Sequence, residues 1–162
     1  MRPPWLSKEE FVWVVARTPL VSIDLIVPDG QGRVLLGMRR NPPAQGTWFV
    51  PGGRILKDEP LDAAFRRITR SELGVEVARN QATFRGVYEH FHPDNFAGQP
   101  GITTHYVVLA YELPAGIVQG TLPQDQHTAY RWWTVSELLA HPQVHPYTKA
   151  YFWGDDDHGP SS

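Results

Sequence analysis

The stretch of this chain best suited to chemistry is Gly52-Gly53-Arg54-Ile55-Leu56-Lys57-Asp58-Glu59, followed by a helical pattern that ends Arg67-Ile68-Thr69-Arg70-Ser71-Glu72-Leu73-Gly74-Val75. A double glycine after a strand lets the backbone approach a ligand closely and exposes its carbonyls and amides. A helix behind it brings Arg67 and Glu72 towards that loop, although five residues at about 100° each set them on opposite sides of an ideal helix. A cation held between a loop carbonyl and a helix carboxylate is feasible, because magnesium is satisfied by a few hard oxygens plus phosphate. Such a cation would neutralise charge on a phosphorylated substrate. Taken alone, the glycines read as a tight turn, and Glu72 as a solvated helix residue.

The elements that must position these residues follow from pattern. Leu6-Ser7-Lys8-Glu9-Glu10-Phe11 predicts a helix start, with Ser7 as N-cap, Glu10 closing a capping box and Leu6 stapled onto Phe11. Its end falls near Arg17, because Pro19 disfavours helical geometry at Thr18. Leu20 to Val27 is a β-branched, mostly apolar run with Asp24 set among its apolar residues. Pro28-Asp29-Gly30-Gln31-Gly32 predicts a turn and Val34-Leu35-Leu36 a return strand, together a hairpin. Asn41 to Gly46 reads as a loop, and Trp48-Phe49-Val50 as a short strand running into the glycines. Asp58 is the expected cap of a helix to Leu73, with Leu61, Ala64, Phe65 and Ile68 on one face and Gly74 as its stop. Segments 82–91 and 102–112 predict strands joined by an exposed loop from His92 to Gly101. Thr134-Val135-Ser136-Glu137 opens a short helix, and the residues after Pro146 add another. One mixed α/β domain over residues 1–153 is expected, with 154–162 a frayed tail.

The spacing Gly53, five residues, Glu59, seven residues, Arg67, four residues, Glu72, one residue, Gly74 and an apolar residue resembles the Nudix box. That box is a loop–helix–loop motif for magnesium-dependent hydrolysis of nucleoside diphosphates linked to another group. The full box has carboxylates at the positions held here by Ile68, Ser71 and Glu72, so two of the three are missing. By spacing alone the copy reads as catalytic or as silent. Longer stretches are similar to the GDP-mannose mannosyl hydrolase branch, which shares this departure. They include Thr18-Pro19-Leu20-Val21-Ser22, Pro43 to Arg54, His90-Phe91 with Asp94-Asn95-Phe96, Thr103 to Leu109, and Gln126-His127, and the similarity runs from about Phe11 to Phe152.

The resemblance implies a Nudix fold of the α/β class, an α/β/α sandwich with a mixed β-sheet, whose site lies at the box helix and the loops around 90–105 and 122–130. It also implies a homodimer to which the N-terminal helix or the early strands contribute. One Mg2+ would be bound by the Gly52 carbonyl, Glu72 and Gln126, with His127 as general base. Arg39 would stabilise the departing phosphate, and Arg54 and Arg67 would make further cationic contacts at the diphosphate. Asp24, His90 and Tyr106 match positions of sugar or nucleotide binding and secondary catalytic roles. The implied reaction splits GDP-mannose, or GDP-glucose, into GDP and free sugar by water attack at the anomeric carbon with inversion. Read without the resemblance, Arg39 and Arg40 are surface charge after a strand, His127 is an exposed loop residue, Asp24 is structural and Tyr106 is core. For His105 a packed structural role is preferred.

The missing carboxylates then have a physical reason. Attack at phosphorus pushes water against an anionic centre and gains from several metals. Attack at an anomeric carbon passes through an oxocarbenium-like state, and its main need is to neutralise charge growing on the leaving diphosphate. Composition sets the outer bounds. With 162 residues, 41% hydrophobic and 20% charged, the chain describes an ordinary globular protein. A net charge of −2 without a basic tract does not favour nucleic acid or an acidic membrane surface as partner. The absence of cysteine excludes disulfides and thiolate chemistry. No apolar stretch approaches the roughly 18 residues that span a bilayer, and the N-terminus lacks a basic region followed by an apolar run, so the expected location is cytoplasmic.

Overall fold

Ser7 opens the first helix as expected. In the computed structural model, which describes residues 5–119, 122 and 127–153, its side chain accepts from the Glu10 amide while Glu10 accepts from the Ser7 amide. Helix α1 (Lys8–Arg17) stops where Thr18 turns extended ahead of Pro19. Strand β1 (Leu20–Ile26) follows, and beyond a turn comes β2 (Arg33–Arg39). The Asp29 carboxylate closes that turn, accepting from the Gln31 and Arg33 amides and, at 2.7 Å, from the Arg33 guanidinium.

The expected hairpin does not form beyond the turn. Backbone bonds join the two strands only at its base, where Asp29 N donates to Arg33 O and Leu35 N to Val27 O. From there they part into separate sheets. One has the order β4-β1-β6-β5 and the other β3-β2-β7, comprising β3 (Trp48–Phe49), β4 (Gly52–Arg54), β5 (Thr83–His92), β6 (Thr104–Glu112) and β7 (His127–Thr134). The first sheet is mixed, since β1 runs parallel to β6 and antiparallel to β4. The second is antiparallel. Arg39 ends β2 away from the turn, while Asp24 lies two residues before the turn-side end of β1.

Alternation along the strands explains the layers. Ile23, Leu25 and Val27 from β1 and its continuation join Leu35 in a core covered by Ala64, Phe65 and Ile68 of α2 (Leu61–Leu73). Ile26, Val34 and Leu36 face the other way, against Leu138 of α3 (Val135–Ala140) and Phe152 of α4 (Pro146–Trp153). Strands apolar on both faces are covered on both faces, and the result is an α/β/α sandwich. Among the described residues no helix is long and apolar enough to cross a membrane.

Two local expectations are corrected here. Asp58 does not cap α2: it sits at φ 65° in the preceding turn, and the helix begins after Pro60, which makes no side-chain cap bond. Glu59 is the organising carboxylate of that loop, accepting from the Leu56 amide at 3.0 Å. The double glycine forms a strand rather than a free loop, with Gly52 opposite Asp24 and Gly53 opposite Ile23. A Cβ on Gly52 would clash with the Ile23 carbonyl and come within 2.7 Å of Asp24 Oδ1. Replacing Gly52 by alanine is therefore expected to cost about 3 kcal/mol, because β4 must peel from β1 to make room. A urea midpoint equal to wild type would show that the close approach constrains nothing.

Candidate active site

A cavity of about 370 Å³ opens beside β4. Ser22 and Asp24 of β1, Arg39 at the end of β2, Gly52, Gly53 and Arg54 of β4, His90 and His92 of β5 and Tyr106 of β6 line it together with Phe49 and the 40–44 segment. Of the residues singled out in the sequence, it thus brings together Asp24, Arg39, Gly52, Arg54, His90 and Tyr106.

Each cation is held by its neighbours. The Arg39 Nε donates to Pro43 O at 3.1 Å, and its backbone is clasped by Thr47 and Gly46. The Arg54 guanidinium lies 4.5 Å from the centre of the Phe11 ring, which in turn packs 4.7 Å from Phe96. Helix α1 and the 93–103 loop therefore both fix Arg54, a cation–π use of an aromatic face. That loop is itself organised by buried Asn95, whose amide donates to Gln99 O and Ile102 O while its oxygen accepts from the Ala97 and Gln99 amides.

Arg67 is placed differently from expectation. It does not line the cavity; its Nε donates to Glu59 at 2.7 Å, and its Nη2 donates to Glu59 at 2.9 Å and to Arg54 O at 2.8 Å. This bidentate pair ties the box helix to the box loop and holds the Glu59 carboxyl below the usual carboxylate range. Glu72 is buried on the sheet side of α2, where its backbone carbonyl accepts from the Tyr130 hydroxyl. Ile68 and Ser71, at the two other carboxylate positions, part company: Ile68 packs in the core against Gly53, and Ser71 is exposed. His127 begins β7 opposite Arg39, so the segment 127–130 is strand rather than loop. The His127 side chain, and Gln126 as a whole, lie outside the described residues.

Asp24 is the electrostatic centre of the cavity. Burial pushes its carboxyl up to about 7, against the pull of the Tyr151 hydrogen bond and the Arg39 charge, while the Glu72 charge adds to the push. Two carboxylates that feel each other beside a backbone carbonyl make a set of hard oxygen donors, which suits magnesium. Among the described residues no group of three His, Cys, Asp or Glu could hold a metal.

The sequence reading missed a wall of aromatic and imidazole rings. His92, His145, Tyr147 and Tyr151 join His90 and Phe49. The His90 ring stacks on Tyr147 at 4.3 Å, His92 meets His145 edge-on at 5.5 Å, and Phe49 lies 5.0 Å from His145. Burial pushes His90 down to about 3, helped by the charges of His92 and His145, and pushes His92 down to about 4. His145 is lowered too, and its Nδ1 accepts from the Tyr147 amide at 3.0 Å. These imidazoles are neutral at working pH. The sequence reading ends the strand at residue 91 and puts His92 in the following loop; β5 runs on to His92, which sets His90 and His92 two apart on one face.

Known proteins resemble this chain in sequence and in fold. The model for the family described as NUDIX domain matches residues 18–153. A relative from Haloferax volcanii, the low-salt glycan biosynthesis protein Agl8, is 38% identical over 147 residues, 90% of each chain. The crystal structure of a MutT NUDIX hydrolase from Burkholderia pseudomallei has a TM-score of 0.63 at 28% identity, covering 83% of this chain and 96% of that one. The MutT protein of Methanosarcina mazei Go1 has a TM-score of 0.66 at 18% identity, covering 84% of this chain and 92% of that one, a likeness of fold.

Proposed function

The chain belongs to the Nudix family, and on that premise we propose that it is a magnesium-dependent hydrolase of nucleoside diphosphate sugars, with GDP-mannose the leading substrate and GDP-glucose the next. The observation that carries this reading is the make-up of one cavity, which sets the guanidinium groups of Arg39 and Arg54 beside imidazoles that stay neutral. A diphosphate needs the first; an uncharged polyol, offering hydroxyls to acceptors and donors, suits the second. The 38% identical relative, by its name, works in glycan biosynthesis, which supports a sugar-bearing substrate.

In this proposal Gly52, Glu72 and Gln126 hold Mg2+, which when bound neutralises charge on the diphosphate. Arg39 and Arg54 bind the phosphates, and Arg67 acts through Glu59 and the Arg54 carbonyl by fixing the loop. Tyr106, half-buried beside both cations, and Asp24 and His90 contact sugar or nucleotide. His127 takes the proton of the attacking water, a task for which an imidazole near pKa ~6.5 is suited. The products are GDP and free sugar with inverted configuration, and the working form is a homodimer.

Turnover in oxygen-18 water with products identified by mass tests the reading. Label is expected in the free sugar, with GDP unlabelled. Appearance of GMP and a sugar phosphate carrying the label would replace carbon attack with phosphorus attack.

A further inference from the structure

Buried Tyr151, on α4, touches both Asp24 and His90 of the cavity. Its hydroxyl donates to Asp24 Oδ2 at 2.5 Å and lies 3.4 Å from His90 Nε2. The ring is locked from behind, edge-on to Tyr88 at 4.7 Å and 86°. Burial first, then the charge and hydrogen bond of Asp24, raise the Tyr151 phenol, so it keeps its proton and donates it to Asp24 wherever that carboxyl is ionised.

Directions along this chain are fixed by that one proton. With its O–H on Asp24, the Tyr151 oxygen is left to accept, which fits a proton on the facing Nε2 of His90. Neutral His90 then carries its proton on Nε2 and has Nδ1 as its acceptor. Asp24, tied through Oδ2, keeps Oδ1 on the side of Gly52, beside which a built Cβ would fall at 2.7 Å. Stacking on Tyr147 at an interplanar angle of 5° holds the His90 ring in its plane.

We propose that Tyr151 is a positioning residue which, by bonding Asp24 and His90 at once, fixes the carboxylate rotamer and the imidazole tautomer so that the two present matched acceptors to neighbouring hydroxyls of a sugar ring. The proposal rests on the nucleotide-sugar reading for its ligand, but the tautomer does not depend on that reading. Tyr151 sits 127 positions from Asp24 in the chain and bonds Asp24 and His90 rather than an arginine, so its loss reaches the phosphate side only indirectly, through the charge of Asp24.

Tyr151→Phe removes the hydroxyl and keeps the ring that packs on Tyr88. Turnover of GDP-mannose is expected to fall about tenfold to a hundredfold, the range for loss of a residue that orients a contacting group, while inhibition by GDP, which lacks the sugar, changes less than about twofold. Nitrogen-15 chemical shifts are expected to place the wild-type His90 proton on Nε2 and to show mixed tautomers in the variant. Tyr88→Phe, which takes a hydroxyl from the neighbouring ring, leaves turnover and tautomer as in wild type. An unaltered His90 tautomer in Tyr151→Phe overturns the proposal, as does equal weakening of GDP and sugar-nucleotide binding. A wild-type protein that turns over no nucleotide sugar, together with the tautomer change in Tyr151→Phe, sinks the substrate reading and keeps the positioning role.

Discussion

Replacing Glu72 with glutamine is expected to lower magnesium-dependent turnover by about 10²- to 10³-fold while leaving the metal-free protein at least as stable as wild type. The two halves of this expectation have separate causes. Glu72 is 3% exposed and stands close enough to Asp24 for its charge to push the Asp24 carboxyl upward. An amide of the same shape removes that like-charge contact, and burying a neutral group costs less than burying a charge. The loss of rate follows because Glu72 is the single carboxylate remaining of the three box positions, Ile68 and Ser71 holding the other two. With one anionic ligand gone, the proposed site has only neutral oxygens to offer a hard cation, and removal of one such electrostatic element costs about 3 to 4 kcal/mol of barrier in comparable sites. Steady-state kinetics against magnesium, paired with thermal melting in chelator, measure both. Turnover within threefold of wild type would remove Glu72 from the metal set. A collapse of the melting temperature would instead make it structural.

The parts legible in the sequence were those set by neighbours in the chain. Ser7 with Glu10 and Thr134 with Glu137 spelled capping boxes that the structure contains, because a cap is decided within one turn of helix. The box spacing placed Glu72 and Arg67 on one helix, and the six apolar residues among Leu20–Val27 around Asp24 placed that carboxylate in a strand. What could not be read depended on partners far away. Nothing near Leu20–Val27 tells whether β1 pairs with β2 or with β6, and a right choice needed the covering helices on both faces. Strand β7 went unseen for the same reason: Tyr130, Trp132 and Trp133 are apolar towards both cores, so no alternation marks them.

The site divides along the same line. Ile68 looked like a lost carboxylate, yet it is 1% exposed and packs at 3.2 Å from where a Gly53 Cβ would stand. That position belongs to the core here, so the sequence departure is a change of layer as well as of charge. Arg67 looked like a phosphate ligand because its partner Glu59, eight residues earlier, was read only as a box letter. The bidentate pair between them turns a cation expected in the cavity into the clasp of its rim. Tyr151 offered no local clue at all, since a tyrosine on a short apolar helix is ordinary core until the fold sets it against Asp24.

Mild acid is expected to destabilise the metal-free protein through the ring wall, most clearly in an Asp24→Asn background. His90 and His92 are held neutral by burial, at about 3 and about 4 against an unfolded value near ~6.5, and His145 is lowered as well. A group whose folded value is depressed loses its stabilising contribution as pH falls. Above ~6.5 neither state binds the proton; below it the unfolded chain does and the fold does not, until the folded values are reached. The loss therefore runs from about pH 6.5 down to about 4. Two such rings steepen it by about 2.7 kcal/mol per pH unit at most, or on the order of 4 kcal/mol between pH 6 and 4.5. That is a large share of the roughly 5–15 kcal/mol available to a domain. Asp24 works with the opposite sign, because its raised carboxyl takes up a proton in the fold from about pH 7 downward and so offsets part of the loss in wild type. Removing it with asparagine, which can still accept from the Tyr151 hydroxyl, exposes the histidine contribution. Urea midpoints in chelator should then fall steeply between pH 6.5 and 4.5 in Asp24→Asn, more gently in wild type, and little when His90→Gln and His92→Gln are added to the Asp24→Asn chain. A flat profile in Asp24→Asn would mean that the rings protonate freely in the fold, and the neutral wall opposite the arginines would no longer account for an uncharged sugar.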